Sequence, residues 1–228
     1  MKYALLSIFA LSLVSLSCKK DSIPAPVTPV DKYMTFTVGS TWNFEKVSNP
    51  SSASPVTTNY SITSGSRDTT INAKQYHVFV NNNGGANEYF YNSGNDYYTY
   101  RTLPSGLGSE YVEILYLKDN AAANTQWVQT YPITYLGVPL NVILTNKIEE
   151  RGLTKTVNGK DYTDVVRVST NITVTGIPFP YTLTDEINYY YAPKYGVIKE
   201  ETKINLTVTG FPASNFEEEK KLMSATLQ

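Results

Sequence analysis

His77 is the only histidine in the 228-residue chain, which removes many mechanisms at once. Zinc and the later transition metals want several His or Cys ligands, and the chain has one cysteine, Cys18. A Ser-His-Asp relay would have to use His77, in the strand-like run Gln75-Tyr-His-Val-Phe79, and no Gly-x-Ser-x-Gly elbow accompanies it. The expectation is an exposed or edge-strand imidazole and no catalytic residue. Paired carboxylates are the other route to hydrolysis, since glycosidases hold two acids a fixed distance apart. The acids available are Glu149, Glu150, Asp161, Asp164, Asp185, Glu186, Glu200 and Glu201. Sequence neighbours in a strand point to opposite faces, so none of these is a ready couple, while pairing across strands stays open. No Asp-x-Asp-x-Asp-Gly calcium loop, phosphate-cradling glycine loop or dinucleotide fingerprint occurs. Neither metal nor cofactor is expected.

Nineteen tyrosines against eight phenylalanines suggest rings whose hydroxyls reach water or a polar partner. Tyr89, Tyr91 and Tyr98, with the Tyr189-Tyr190-Tyr191 run, are the candidate ligand contacts. Such rings stack on sugar faces or line an amphipathic pocket; cross-strand aromatic pairing within a sheet is the competing use.

These side chains must be positioned by strands. With 41% hydrophobic and 13% aromatic residues, the chain can bury a real core. From Met34 onward no stretch sustains a helical period, and short β-rich runs recur between turn signals. The predicted strands are 34–38, 41–47, 56–63, 67–71, 75–81, 88–92, 97–102, 111–118, 126–131, 141–150, 152–157, 160–175, 180–191, 197–209 and 216–226. Asn158-Gly159 has the chemistry of a two-residue hairpin turn. Ile198, Ile204, Leu206 and Val208 share one parity, against Lys199, Glu201, Lys203 and Asn205. That alternation marks strands buried on one face. The fold class is therefore all-β: a curled antiparallel sheet of some twelve to fifteen strands, barrel-like or a sandwich.

An internal repeat divides the chain. Gly39-Ser-Thr-Trp42 answers Asn124-Thr-Gln-Trp127, Thr69-Thr-Ile-Asn-Ala-Lys-Gln-Tyr76 answers Lys155-Thr-Val-Asn-Gly-Lys-Asp-Tyr162, and Glu88-Tyr-Phe-Tyr91 answers Asn188-Tyr-Tyr-Tyr191. The predicted halves are 34–118 and 119–228, within one domain spanning 34–228. A smaller echo, Asn171-Ile-Thr-Val-Thr-Gly176 and Asn205-Leu-Thr-Val-Thr-Gly210, suggests neighbouring strands.

The N-terminus carries a different message. Met1-Lys2 precedes an uncharged, mostly apolar run from Tyr3 to Leu16, about 14 residues long and shorter than the ~20 that span a bilayer. Ser15-Leu16-Ser17-Cys18, followed by Lys19-Lys20-Asp21, resembles a bacterial lipoprotein signal, with Ser15 where such signals usually carry Leu. That resemblance implies removal of residues 1–17 and lipidation at Cys18. Acyl chains contribute ~0.8 kcal/mol per buried methylene, so a multiply acylated cysteine anchors stably. Residues 18–33, with Pro24, Pro26 and Pro29, read as an extended tether.

Val38-Gly-Ser-Thr-Trp42, Asn158-Gly-Lys-Asp-Tyr-Thr-Asp-Val165 and Tyr190-Tyr-Ala-Pro-Lys-Tyr-Gly-Val-Ile-Lys199 resemble uncharacterised secreted lipoproteins of the Bacteroides group. The resemblance implies location and fold and carries no agreed activity. Nineteen basic and twenty acidic side chains leave a formal charge of −1, and no basic cluster stands out, so nucleic acid is not an expected partner. The expected protein is a non-catalytic binding or structural lipoprotein of the cell envelope. It is tethered to the membrane, the outer membrane by expectation, and faces the periplasm or the surface. A lipid or glycan ligand is allowed for, and oligomeric state is left open. Two alternatives stand beside this: a lipocalin-like or carrier-like holder of an acyl chain, and a glycan-active hydrolase using paired carboxylates.

Overall fold

The computed structural model describes residues 33–103, 110–135, 137–210 and 213–228, with the side chain of Tyr135 left aside. Cys18, the signal segment and the tether up to Lys32 lie outside the described residues. The described residues belong to one compact unit.

Twelve strands make it up: β1 (Thr41–Ser48), β2 (Val56–Ile71), β3 (Lys74–Asn81), β4 (Glu88–Ser93), β5 (Asp96–Thr102), β6 (Tyr111–Lys118), β7 (Gln126–Tyr135), β8 (Val138–Val157), β9 (Lys160–Thr175), β10 (Tyr181–Ala192), β11 (Gly196–Val208) and β12 (Ser214–Thr226). They form one antiparallel sheet in the order β6-β5-β4-β3-β2-β1-β12-β11-β10-β9-β8-β7. Strands β1 to β6 are thus one meander, β7 to β12 a second, and the pairing of β1 with β12 joins them. The sheet curls until its edges, β6 and β7, meet in a nearly closed barrel.

That last step is made by side chains. Three residues on one face of β7 bond the backbone of β6. Trp127 Nε1 donates to the Leu115 carbonyl at 2.8 Å, the Leu115 N–H donates to Gln129 Oε1 at 2.9 Å, and the Tyr131 hydroxyl donates to the Glu113 carbonyl at 2.7 Å. The Gln129 amide both donates and accepts, as a neighbouring peptide would. Pro132 in β7 has no N–H to offer a ladder, as suits an edge strand. The backbone groups of Glu113 and Leu115 on the β6 edge, which would otherwise template aggregation, are engaged here.

The segments that echo one another in sequence occupy the same ordinal strand of each meander. Trp42 and Trp127 stand second in β1 and β7, while Asn72-Ala73 and Asn158-Gly159 turn β2 into β3 and β8 into β9. Both turns have positive φ at both residues: 50° and 62° in the first, 50° and 72° in the second. Glycine suits that geometry and alanine does not.

Three strand predictions and one pairing prediction change. Residues 34–38 form no strand; Met34 makes a single bridge to Tyr195. Residues 56–63 and 67–71 are one strand interrupted by a register shift between Ser64 and Asp68, and 141–150 and 152–157 are one strand with shifts around Glu150 and Leu153. The strands ending in the Thr-Val-Thr-Gly echo, β9 and β11, are not neighbours, because β10 lies between them.

The core is one cluster inside the curl. Trp42, Phe79, Ile62, Leu117, Ile148, Ile187, Ile198 and Leu222 are fully buried. Tyr33 and Met34 close one end: the Tyr33 N–H donates to the Tyr97 hydroxyl at 3.2 Å, and the Tyr33 hydroxyl to the Asp164 carbonyl at 2.8 Å. Gly196 makes room for this, since a Cβ there would stand 2.5 Å from the Met34 sulfur.

Candidate functional site

Register places a polar rung across the inner face of five strands. Tyr189 of β10 is opposite Glu200 of β11, Glu200 opposite Lys220 of β12, Lys220 opposite Lys46 of β1, and Lys46 opposite Thr58 of β2. Directly opposite residues in an antiparallel pair have side chains on one face, so these groups meet by construction. Lys220 bridges Glu200 at 2.9 Å, their side chains only 12% and 11% exposed, and Lys46 bridges Glu218 at 3.1 Å. From the other wall, Arg101 of β5 reaches across: its Nη2 donates to the Tyr189 hydroxyl at 3.2 Å, and Nη1 stands 4.0 Å from Glu200.

Burial alone would push the Glu200 carboxyl up, but Lys220 and Arg101 outweigh it and hold it below the ordinary carboxylate value. Burial likewise opposes the charge on Lys220, and Glu200 reverses that, raising the ammonium well above its usual value. Tyr60 nearby is pushed up to about 12, chiefly by burial. At neutral pH the rung therefore holds ions and neutral phenols. A carboxylate so stabilised is a poor proton donor.

These groups line a cavity of about 530 Å³, within the range of small-molecule sites. Met34, Tyr195 and Gly196 also line it, as do Thr58, Asn59 and Glu88. Glu88 of β4 lies opposite Phe79 of the core and also faces the cavity.

The six tyrosines singled out from sequence do not form one site. Tyr189 and Tyr191 face the lumen, with ring centroids 6.1 Å apart and nearly parallel, and Tyr116 lies 5.3 Å from Tyr191. Tyr190 alternates to the other face, under the Lys155 ammonium at 4.1 Å. Tyr91 and Tyr98 pair on the outer face with centroids 5.6 Å apart, and Lys74 sits 4.8 Å over the Tyr98 ring. Lys74 is held there by Glu113 at 2.6 Å, which also accepts from the Tyr76 hydroxyl. Tyr89 is opposite Val78, which lies outside the core cluster. The competing use, cross-strand pairing, thus accounts for Tyr91 and Tyr98, whereas Tyr189 and Tyr191 border the cavity. Arg101, Lys220 and Glu88 were not legible as site residues. The one available signal was Glu200, an acid at the parity of Ile198 and Ile204.

His77 is neither exposed nor on an edge. Strand β3 lies between β2 and β4, and the imidazole is 14% exposed, stacked on Phe36 with centroids 5.4 Å apart and 10° between planes. Its Nε2 is 2.8 Å from Ser64 Oγ and its Nδ1 2.7 Å from Asp68 Oδ1. The register shift in β2 brings Ser64 and Asp68 to this one ring. The spacing is that of a hydroxyl–imidazole–carboxylate relay, yet Ser64 is 1% exposed and its Oγ lies 3.1 Å from the Phe36 carbonyl. With Phe36 over the ring, no substrate carbon has a path to that oxygen. The arrangement fastens residues 34–37 to β2 and β3. Among the described residues no three metal-ligating side chains converge.

No family model matches the chain, and no curated protein does. Among solved structures, a protein of Parabacteroides distasonis, provisionally described as a lipoprotein, shares the fold with a TM-score of 0.54. The match covers 87% of this chain and 100% of that one at 13% sequence identity. At that identity the likeness speaks to the architecture.

Proposed function

We propose that this is a lipid-anchored protein of the outer membrane whose barrel binds a small ligand in its lumen and performs no chemistry on it. In this reading residues 1–17 are removed, Cys18 is acylated, residues 18–33 tether, and 34–228 is the binding domain. The observation that carries it is the cavity of about 530 Å³ bordered by tyrosines and by charges from β4, β5, β11 and β12. A barrel serving only as a spacer would gain stability from filling that space with aliphatic side chains. The lipoprotein-like neighbour of the same architecture supports the location.

The acyl-carrier alternative fits the cavity less well. An apolar chain laid along Arg101, Glu200 and Lys220 would take charges out of water without replacing their hydrogen bonds. The hydrolase alternative needs an acid and a base across a cleft. Here Glu200 and Glu218 are each engaged by a lysine, which leaves Glu88 as the one unpaired carboxylate lining the cavity among the described residues.

Native mass spectrometry of the full-length protein, purified from membranes in detergent, is the test. A small molecule retained by the folded protein and lost on unfolding is the expected result. Retention of nothing, together with no binding from a fractionated envelope extract, would refute the reading. Cys18→Ala should move the protein from the membrane to the soluble fraction; continued membrane association would refute the anchor.

A further inference from the structure

The lumen holds more fixed charge than its ion pairs consume. Lys220 is spent on Glu200 and Lys46 on Glu218. Arg101 is only partly spent, at the 4.0 Å limit of an ion pair with Glu200. Of its five N–H donors, one goes to the Tyr189 hydroxyl, Nη1 is too far from Glu200 for a hydrogen bond, and Nε is buried with no acceptor among the described residues. Glu88 is in no ion pair among the described residues, although it too faces the cavity. The β4–β5 pairing ends at Phe90 and Thr99; Glu88 and Arg101 lie two residues further along their strands, and both line the cavity. The guanidinium reaches across the lumen to Tyr189.

One cation with donors to spare and one anion in no ion pair among the described residues therefore line the same cavity. A guanidinium fork takes a carboxylate in bidentate fashion, with more geometric demand than an ammonium makes. A neighbouring carboxylate repels a bare anion and accepts from a hydroxyl or ammonium. From these two groups we propose that the lumen takes a small ligand bearing both a carboxylate and a donor group, hydroxyl or ammonium. This rests on the lumen-binding reading and narrows it to hydroxy acids, sugar acids and amino acids. A neutral sugar leaves Arg101 without its anion, and a simple fatty acid leaves Glu88 without its donor.

Isothermal titration on the full-length protein in detergent, with D-galacturonate, L-glutamine, D-galactose and octanoate as probes, separates these. Galacturonate or glutamine should bind about tenfold or more tightly than galactose and octanoate, the cost expected when a partly buried charged partner is left unpaired. The better of the two tells hydroxyl from ammonium. Arg101→Leu should weaken that probe by about tenfold or more, with the fold checked by near-ultraviolet circular dichroism. If that variant does not fold, Glu88→Gln, which keeps size and shape, decides: it should weaken the favoured probe and leave octanoate unchanged. Equal binding of galactose or octanoate, binding of none of the four, or an unaltered Glu88→Gln would overturn the proposal. A neutral or acyl occupant found by native mass spectrometry would overturn it alone; an empty barrel that binds nothing would take the lumen reading with it.

Discussion

Replacing Glu200 by glutamine tests whether the lumen is as dry as its geometry implies. Glu200 and Lys220 are 2.9 Å apart with side chains 11% and 12% exposed, and Arg101 stands 4.0 Å away with 37% of its side chain open to the cavity. Losing one member of a buried pair costs about 3–5 kcal/mol, because the other charge stays buried without its counterion. Two cations depend on Glu200, but the cavity wets one of them, so the lower figure, about 3 kcal/mol, is appropriate. For a domain near this size that is roughly 6–12 °C in melting temperature. Glu201, the next residue, faces outward and bridges Lys199 at 2.5 Å with 39% exposure; Glu201→Gln should cost no more than about 0.5 kcal/mol. Urea unfolding followed by the fluorescence of Trp42 and Trp127 reads both variants. The double variant Glu200→Met, Lys220→Met should recover part of the loss, since it removes the buried ammonium as well and leaves only Arg101, which the cavity wets, without its counterion. The pH profile adds a check. Glu200 titrates below its ordinary value when folded, so its contribution is complete above the unfolded carboxyl value of about 4.3 and is lost as pH falls through the folded one. The gap between wild type and Glu200→Gln should therefore narrow below about pH 4. Equal costs for Glu200→Gln and Glu201→Gln would refute the argument, showing a lumen wet enough to screen the rung.

Ala73→Gly should stabilise by about 0.5–1 kcal/mol, because Ala73 holds φ of 62° where Gly159 holds 72° in the matching turn; a lower urea midpoint would contradict it. Gln129→Leu removes both the acceptor for the Leu115 N–H and a donor to Glu113, at a cost of about 1–3 kcal/mol. Amide exchange at Leu115 should quicken, and unchanged protection would mean that the edges are held some other way. A fluorophosphonate should leave Ser64 unmodified in the folded protein, as peptide mapping would show; stoichiometric labelling would mean that residues 34–37 open and the relay is reachable.

Strand positions were legible because alternation is local. Val166, Val168, Ile172 and Val174 announce the inner face of β9 without reference to any other strand. The Asn158-Gly159 turn was legible for the same reason: two residues with positive φ need that chemistry. What could not be read is which strands meet. Strands β9 and β11 look like neighbours from their shared ending, but both pair with β10, and similar strand ends carry no pairing information. The barrel seam is hidden more deeply. Trp127, Gln129 and Tyr131 read as an ordinary alternating face, and only the curl of the whole sheet brings Glu113 and Leu115 within their reach. Ser64 and Asp68 escaped because a regular strand would give them the same parity but not one shared imidazole; the local shift between them does that.

The charges inside the barrel connect these two kinds of information. Parity alone says that Glu200 faces the way Ile198 and Ile204 face, a conflict between residue type and position. Natural sequences tolerate such conflicts where function or a specific partner requires them. The partners, Lys220 and Arg101, come from strands that lie respectively beside β11 and across the lumen from it. The first is supplied by register and the second by closure. An inward acid answered only by Lys220 would be a buried bridge that hydrophobic residues could replace at no loss. Arg101 alters that balance, because its guanidinium arrives from the far wall and leaves most of its donors uncommitted. A second inward cation that Glu200 does not fully engage adds desolvation cost without a matching gain in the free protein. The arrangement therefore makes more physical sense for a barrel that holds something polar than for one that only folds.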